Sequence, residues 1–292
     1  MALRLIFHPT AFRHKKLQMT REIKSSPVAI AKSFWSNRQL IWQMTKRDVV
    51  GRYRGSIMGI AWSFFNPILM LTVYTFVFSV VFKARWDVGG EESKTGFAII
   101  LFAGMIVHAL FAECVNRAPS LILSNANYVK KVVFPLEILP WVTMGSALFH
   151  TAISIIVLLT FFASLNFYLN WTIVFLPLVL LPLVLVTMGA AWFLASTGVY
   201  LRDVGQTTGL VTTIMLFLAP VFYPISVLPQ EYQQWLHLNP LTFIIEQMRN
   251  VLIWGKIPDF HGFGWYSAAS LLVAWMGYFW FQKTRKGFAD VL

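Results

Sequence analysis

RDVVGRYRGS, residues 47–56, carries three arginines and one aspartate and runs directly into IMGIAWSFFNPILMLTVYTFVFSVVF, residues 57–82, a stretch of 26 residues without a charge. At 1.5 Å per residue the second stretch is about 39 Å long, enough to cross a hydrocarbon layer of about 30 Å with length left for tilt. A dense basic cluster set hard against a spanning run decides the fold class. The whole chain agrees: 57% of its 292 residues are hydrophobic and only 12% charged, against about 25% charged in a soluble domain. That is too little polar surface to cover a globule in water, so the chain reads as an all-α polytopic membrane protein. The single cysteine, Cys114, excludes a disulfide framework within the chain and any cysteine-built metal site. The first apolar run begins only after residue 56, so nothing resembles a cleaved signal peptide.

Six segments read as spans: Ile57–Phe82, Phe97–Ala112, Ile138 to about Phe162, Trp171 to about Tyr200, about Thr207 to Tyr223, and Gly262–Phe281. Pro140, Pro177 and Pro182 fall inside them and predict kinks. With the N-terminus cytoplasmic, 19 of the 24 lysines and arginines lie on the inner side and five on the outer side. This positive-inside bias puts both termini in the cytoplasm. It divides the chain into a basic extension (1–33), an interface segment (34–56), a six-helix domain (57–281) and a cytoplasmic tail (282–292).

Residues 34–54, FWSNRQLIWQMTKRDVVGRYR, interleave aromatics with Arg38, Lys46, Arg47, Arg52 and Arg54. That composition predicts an amphipathic helix lying in the inner interface, with Asp48 and Arg52 able to pair at i and i+4. A simple basic anchor accounts equally well for the arginines alone. Gly51, Gly55 and Ser56 supply the bend into the first span. On the outer side, residues 224–261 are too polar to span and too apolar to ignore. Within them Leu241–Trp254 reads as a helix, started by Asn239-Pro240, stopped by Gly255, and apolar at Leu241, Ile244, Ile245, Met248, Val251 and Leu252. Glu246 and Arg249 stand close enough on it to pair and are candidates for an outer gate. A re-entrant helix pair dipping into the outer leaflet fits this segment, with a soluble outer cap as the alternative.

The chemistry that is missing narrows the function. The sequence has no phosphate-cradling loop of the form G-x-x-x-x-G-K-[ST], no H-E-x-x-H, no G-x-S-x-G and no close pair of acids to hold a metal. GFGWYS, residues 262–267, starts like a dinucleotide fingerprint but opens a span with no strand before it. His150 is the one titratable group deep in a span, and reads as a neutral histidine bonded between helices or as a proton relay. His108 and Glu113 form a polar cluster with Asn116 and Arg117, or mark the end of the hydrocarbon layer. The chain is thus a passage without an engine, and uphill transport needs energy from another chain. The loop between spans two and three, residues 115–135, is the best contact for one. Its semi-apolar stretch from Ala118 to Val133 faces the cytosol, and Asn125, Asn127, Tyr128, Lys130 and Lys131 sit within it.

RDVVGRYRGSIMGIAWSFFNPILM, YVKKVVFPLEILP and LNPLTFIIEQMRNVL resemble, in this order, the three characteristic stretches of the membrane subunits of polysaccharide-export ABC transporters, most closely the O-antigen and teichoic-acid branch. The resemblance implies a half-transporter of six spans, an N-terminal interface helix and re-entrant helices between spans five and six. It implies a homodimer in the bacterial inner membrane, paired with two copies of a separate ATPase that binds ATP and Mg. No cofactor is expected in this chain and no nucleic acid as a partner. The interface helix and the loop after span two would meet the ATPase, and the substrate would be a glycan on an undecaprenyl-pyrophosphate lipid. On this reading Arg47, Asp48, Arg52, Tyr53 and Arg54 serve the lipid headgroup or the motor, because arginine binds phosphate oxygens in bidentate fashion. Tyr74, Phe78 and Phe82 share a helical face and, with Phe217, Phe222 and Tyr223, are candidates for a glycan-facing channel wall. Ordinary lipid-facing filler accounts for the phenylalanines as well. An intramembrane enzyme acting on polyprenyl-linked sugars would need paired acids near one membrane face. An ion-coupled flippase would need charge at mid-span.

Overall fold

The computed structural model describes residues 26–81, 94–130 and 134–292. Every regular element among them is helical. In chain order these are α1 (Pro27–Tyr53), α2 (Trp62–Tyr74, extended by a π-helical turn Thr75–Val81), α3 (Lys94–Arg117), α4 (Ala126–Lys130), α5 (Leu139–Asn166), α6 (Leu176–Tyr200), α7 (Val204–Phe217), α8 (Gln230–His237), α9 (Pro240–Leu252), α10 (Phe260–Thr284) and α11 (Phe288–Val291). Among the described residues four helical runs are long and apolar enough to cross a membrane: Gly59–Phe78, Gly96–Ser120, Leu136–Asn166 and Trp171–Tyr200.

The expected fifth and sixth spans look different. α7 has only 14 residues, about 21 Å of helix, and stops at Phe217, six residues before the expected end at Tyr223. The chain then turns through Pro220 and Pro224, neither of which can donate the next helical hydrogen bond. α10 has the length of a span at 25 residues, but its Trp, Tyr, Gly and Ser content keeps it below the hydropathy of the other four. Two of the three expected kink prolines sit elsewhere in their helices: Pro140 and Pro177 occupy the first turns of α5 and α6, where no hydrogen bond is lost. Pro182 lies inside α6 and Pro67 inside α2.

α3 is the centre of the packing. Leu101, Ala103, Val107 and Leu110 are fully buried on it, and α5, α6, α7 and α9 all pack against it. α6 and α10 meet more closely than any side chain would allow. A Cβ on Gly277 would lie 2.0 Å from the Gly189 carbonyl oxygen, and one on Gly189 would lie 2.5 Å from that of Val273. Small residues at a crossing let two backbones approach and gain dispersion contacts where lipid supplies no hydrophobic drive.

The helix before the first span starts at Pro27, seven residues earlier than expected and inside the segment read as an extension. Its expected amphipathic character takes another form. The stripe Ile41, Met44, Thr45, Asp48, Val49 and Arg52 faces α5 and α3 instead of lipid, and mixes apolar with charged side chains. The contact is tight, since a Cβ on Gly145 already touches Thr45, with its Oγ1 at 2.7 Å. Trp35 and Trp42, seven residues apart, remain 67% and 70% exposed, with Arg38 stacked 5.0 Å over the Trp35 ring. Gly55 at φ +85° and Gly59 at φ +54° then turn the chain into α2.

At the opposite end, α8 and α9 form a helix pair in the segment where one was expected. Asn239 caps α9 by accepting from the Leu241 amide at 3.0 Å while donating to the Met215 carbonyl at 3.0 Å. The six apolar positions named above are all fully or almost fully buried. The orphan carbonyls at the end of α9 are taken up by Asn170, which donates to Leu252 and Ile253 at 3.2 and 3.0 Å. Thr172 bonds the Val251 carbonyl at 2.6 Å. Gly255 terminates the segment at φ +62°.

Candidate functional site

A polar cluster holds the C-terminal half of α1 against α3 and α5. Arg117 donates to both carboxylate oxygens of Asp48, at 3.0 and 2.8 Å, and Ser146 adds a third hydrogen bond at 2.7 Å. Burial works against the charged Asp48, but Arg117 and Ser146 outweigh it and hold its carboxyl below the usual carboxylate range. One turn on, Arg52 donates to Glu113 at 2.5 Å. The His150 Nδ1 lies 3.1 Å from the same carboxylate and 3.3 Å from the Arg52 guanidinium. The Tyr53 hydroxyl lies 3.1 Å from His150 Nε2. A guanidinium only donates and a carboxylate only accepts. A proton on Nδ1 donates to Glu113 and leaves Nε2 to accept from Tyr53; Arg52 then bonds the Glu113 carboxylate and not Nδ1.

This overturns the expected pairing of Asp48 with Arg52 along α1. Both side chains reach across to other helices, because partners on α3 and α5 offer bidentate or multiple bonds that an exposed i, i+4 pair cannot match. Glu113 leaves the expected group with His108 and Asn116, although Arg117 stays 3.8 Å from it. His108 instead donates to the Thr212 carbonyl at 2.9 Å, and Thr212 bonds Asn116 at 3.3 Å. His150 does bond between helices, as one of its two readings held, but at the level of the α1 arginines. The signal for this cluster was present in the sequence as Glu113 and Arg117 at i, i+4 on the end of an apolar helix.

The loop after α3 lies beside α1. Arg47 donates to the Tyr128 hydroxyl at 3.0 Å, and the Tyr128 ring stacks on Phe134 at 4.4 Å. Between loop and helix opens a cleft of about 530 Å³ lined by Arg47, Asp48, Arg52, Arg117, Ser120 and Asn125 among others. Among the described residues of the loop, the apolar side chains are buried or half-buried, where exposure to the cytosol was expected. Ala118, Leu121 and Ile122 are buried, and Pro119 packs on α6, where a Cβ on Gly198 would lie 2.3 Å from its carbonyl oxygen. The exposed ones among the described residues are polar: Ser120, Ser124, Asn127 and Lys130. Asn125 is half-buried and donates to the Leu121 carbonyl at 2.9 Å. Lys131 lies outside the described residues, and Arg54 is exposed at the end of α1.

The expected wall aromatics gather at one place. Tyr74 lies 6.5 Å from Phe78 between ring centroids, Phe78 lies 6.1 Å from Phe222, and Phe222 stacks on Phe217 at 5.7 Å. The Tyr223 hydroxyl donates to the Phe217 carbonyl at 2.9 Å. Phe82 lies outside the described residues. Arg249, the expected partner of Glu246, is fully buried. It donates to the carbonyls of Ile100, Pro220 and Val221 at 3.1, 2.7 and 3.0 Å. It thereby joins α3 to the turn after α7. Glu246 is half-buried one turn earlier.

The fold is that of a helical membrane protein with a charged cluster joining α1 to α3 and α5. The chain belongs to the ABC-2 type transporter family, whose model matches residues 39–253. It is similar to two proteins named O-antigen export system permease protein RfbA. One, from Myxococcus xanthus, is 25% identical over 90% of this chain and 99% of its own length. The other, from Klebsiella pneumoniae, is 24% identical over 87% and 95%. The polysialic acid transport protein KpsM of Escherichia coli is 19% identical over 79% of this chain and 88% of its own.

Proposed function

We propose that this chain is the channel-forming subunit of an ATP-driven exporter that moves undecaprenyl-pyrophosphate-linked polysaccharide of the O-antigen type across the bacterial inner membrane. It acts as a homodimer with two copies of a separate ATPase. The observation that carries the reading is alignment along nearly the full length of both chains with permeases named for O-antigen export. The fold supports it. On this reading α7 and α10 complete six spans, α8 and α9 dip into the outer leaflet as re-entrant helices, and α1, the loop after α3 and the tail lie on the cytoplasmic side. The exposed Trp35–Arg38–Trp42 face of α1 suits the headgroup region, where aromatic rings and bases are both favoured. The arginines divide their work. Arg52 and Arg117 are spent on Glu113 and Asp48, so Arg47 and Arg54 are the ones available to a pyrophosphate or to the motor. The cluster of Tyr74, Phe78, Phe217 and Phe222 offers ring faces on which a sliding glycan can stack without sequence preference.

Deletion of the gene in its own host tests the reading. Surface polysaccharide should disappear while lipid-linked glycan accumulates on the cytoplasmic side, and the chain supplied in trans should restore export. Loss of glycan synthesis itself, with no lipid-linked intermediate accumulating, would place the chain in an enzymatic step and overturn the proposal.

A further inference from the structure

The residues after α10 are bonded to α4, to α6 and to the turn that precedes α5. Phe288 is fully buried, with its ring against Phe281 at 5.7 Å and Tyr200 at 6.0 Å. Tyr200 donates to the Thr284 carbonyl at 2.7 Å. Gly287 passes so close beneath it that a Cβ there would lie 2.6 Å from the Tyr200 hydroxyl. Beyond Phe288 the short α11 packs on α4, and Lys130 donates to the Leu292 carbonyl. On the other side Arg285 donates to Glu137 at 2.8 Å. Glu137 also accepts from Ser33 of α1 at 3.5 Å, and its carbonyl accepts from Trp192 of α6 at 3.0 Å. One short segment thus touches α4, α6 and the turn before α5, and reaches α1 through Glu137.

We propose that residues 285–292 form a strap that positions α4, with Phe288 as its anchor and Lys130 as its tie, so that a push on the loop after α3 also reaches α10. The physical basis is leverage on a weak element. α4 is a single helical turn of five residues, far too short to hold its shape alone, and its neighbours must fix it. Phe288 and Lys130 are positioning residues, since neither needs to touch substrate or nucleotide. The coupling part of the inference rests on the reading of the loop as the contact with the ATPase. The positioning part does not.

A spin label at Asn127→Cys tests the strap in the full chain reconstituted with its ATPase. Asn127 is exposed on α4, and Cys114, the chain's one cysteine, is buried, so the label reports alone. Phe288→Ala should raise label mobility and lower glycan exported per ATP hydrolysed severalfold, and Phe288→Leu should restore both in large part. Lys130→Met should raise mobility by a smaller amount. If Phe288→Ala does not fold, Lys130→Met decides. Unchanged mobility in every folded variant overturns the strap. Raised mobility with export per ATP unchanged overturns its role in coupling. If the unmodified chain binds no ATPase, the transporter reading fails, and the mobility comparison in the chain alone still judges the strap.

Discussion

At the residue scale, Asp48 and Glu113 are the carboxylates that hold α1 in place. Asp48→Asn keeps the shape but leaves Arg117, in a half-buried site, with only the longer 3.8 Å contact to Glu113, so it should weaken docking of α1 by about 1–3 kcal/mol. Limited proteolysis after residue 54 would register this as faster cleavage. The pH dependence has a definite sign. A carboxyl held below its free value of about 3.9 contributes docking stability above that value. The contribution is lost as pH falls through the lower docked pKa. Through Asp48, docking should therefore be flat across neutral pH and fail only in strong acid, as a fluorescent label on α1 can follow. Tyr53→Phe removes one neutral hydrogen bond to His150 and should cost only about 0.5–1.5 kcal/mol. The arginines of this site were legible in the sequence by their density. Their partners were not, because a helix wheel shows neighbours at i+4 but not a bidentate acceptor 69 positions away.

At the element scale, two helix contacts carry opposite lessons. α9 was legible throughout, with its cap, its apolar stripe and its terminating glycine, because each signal is local. The α6–α10 crossing was not, because Gly189 and Gly277 are isolated glycines whose meaning lies in the other helix. Gly277→Leu should separate α6 from α10 and destabilise by about 1–3 kcal/mol or more. Gly264→Leu, at a position with open space around it, should be nearly neutral, and thermal unfolding in detergent distinguishes them. Arg249→Met takes the side-chain donor from the Pro220 and Val221 carbonyls, which lie outside any helix, at a cost of about 1–3 kcal/mol each before relaxation, while the Ile100 carbonyl keeps its place in the α3 ladder. It should loosen the turn after α7 ahead of the rest of the chain, visible as faster amide exchange at residues 218–224. The i, i+3 spacing of Glu246 and Arg249 does not reveal that the Arg249 guanidinium also bonds backbone carbonyls of α3 and of the turn after α7.

At the scale of the whole molecule, hydropathy and basic-residue bias made a polytopic helical protein legible from the start. The division of labour between its two ends follows from where polar side chains can be satisfied. One end gathers α1, the loop after α3 and the tail around carboxylates, and the other stitches α8 and α9 to backbone carbonyls. Length alone misjudged α7, because apolar residues 218–223 continue a hydrophobic run that Pro220 and Pro224 prevent from being helix. The central claim is that this chain is the membrane half of a two-component pump, and purification tests it most directly. The chain would be expressed in its own host, isolated through a tag on this chain alone, and the subunit ratio and ATP hydrolysis of what it brings with it measured in nanodiscs. The account predicts a stable complex of two permease and two ATPase subunits whose hydrolysis rises with lipid-linked glycan. A chain that purifies without an ATPase under mild detergent, or a complex indifferent to the glycan, would contradict it.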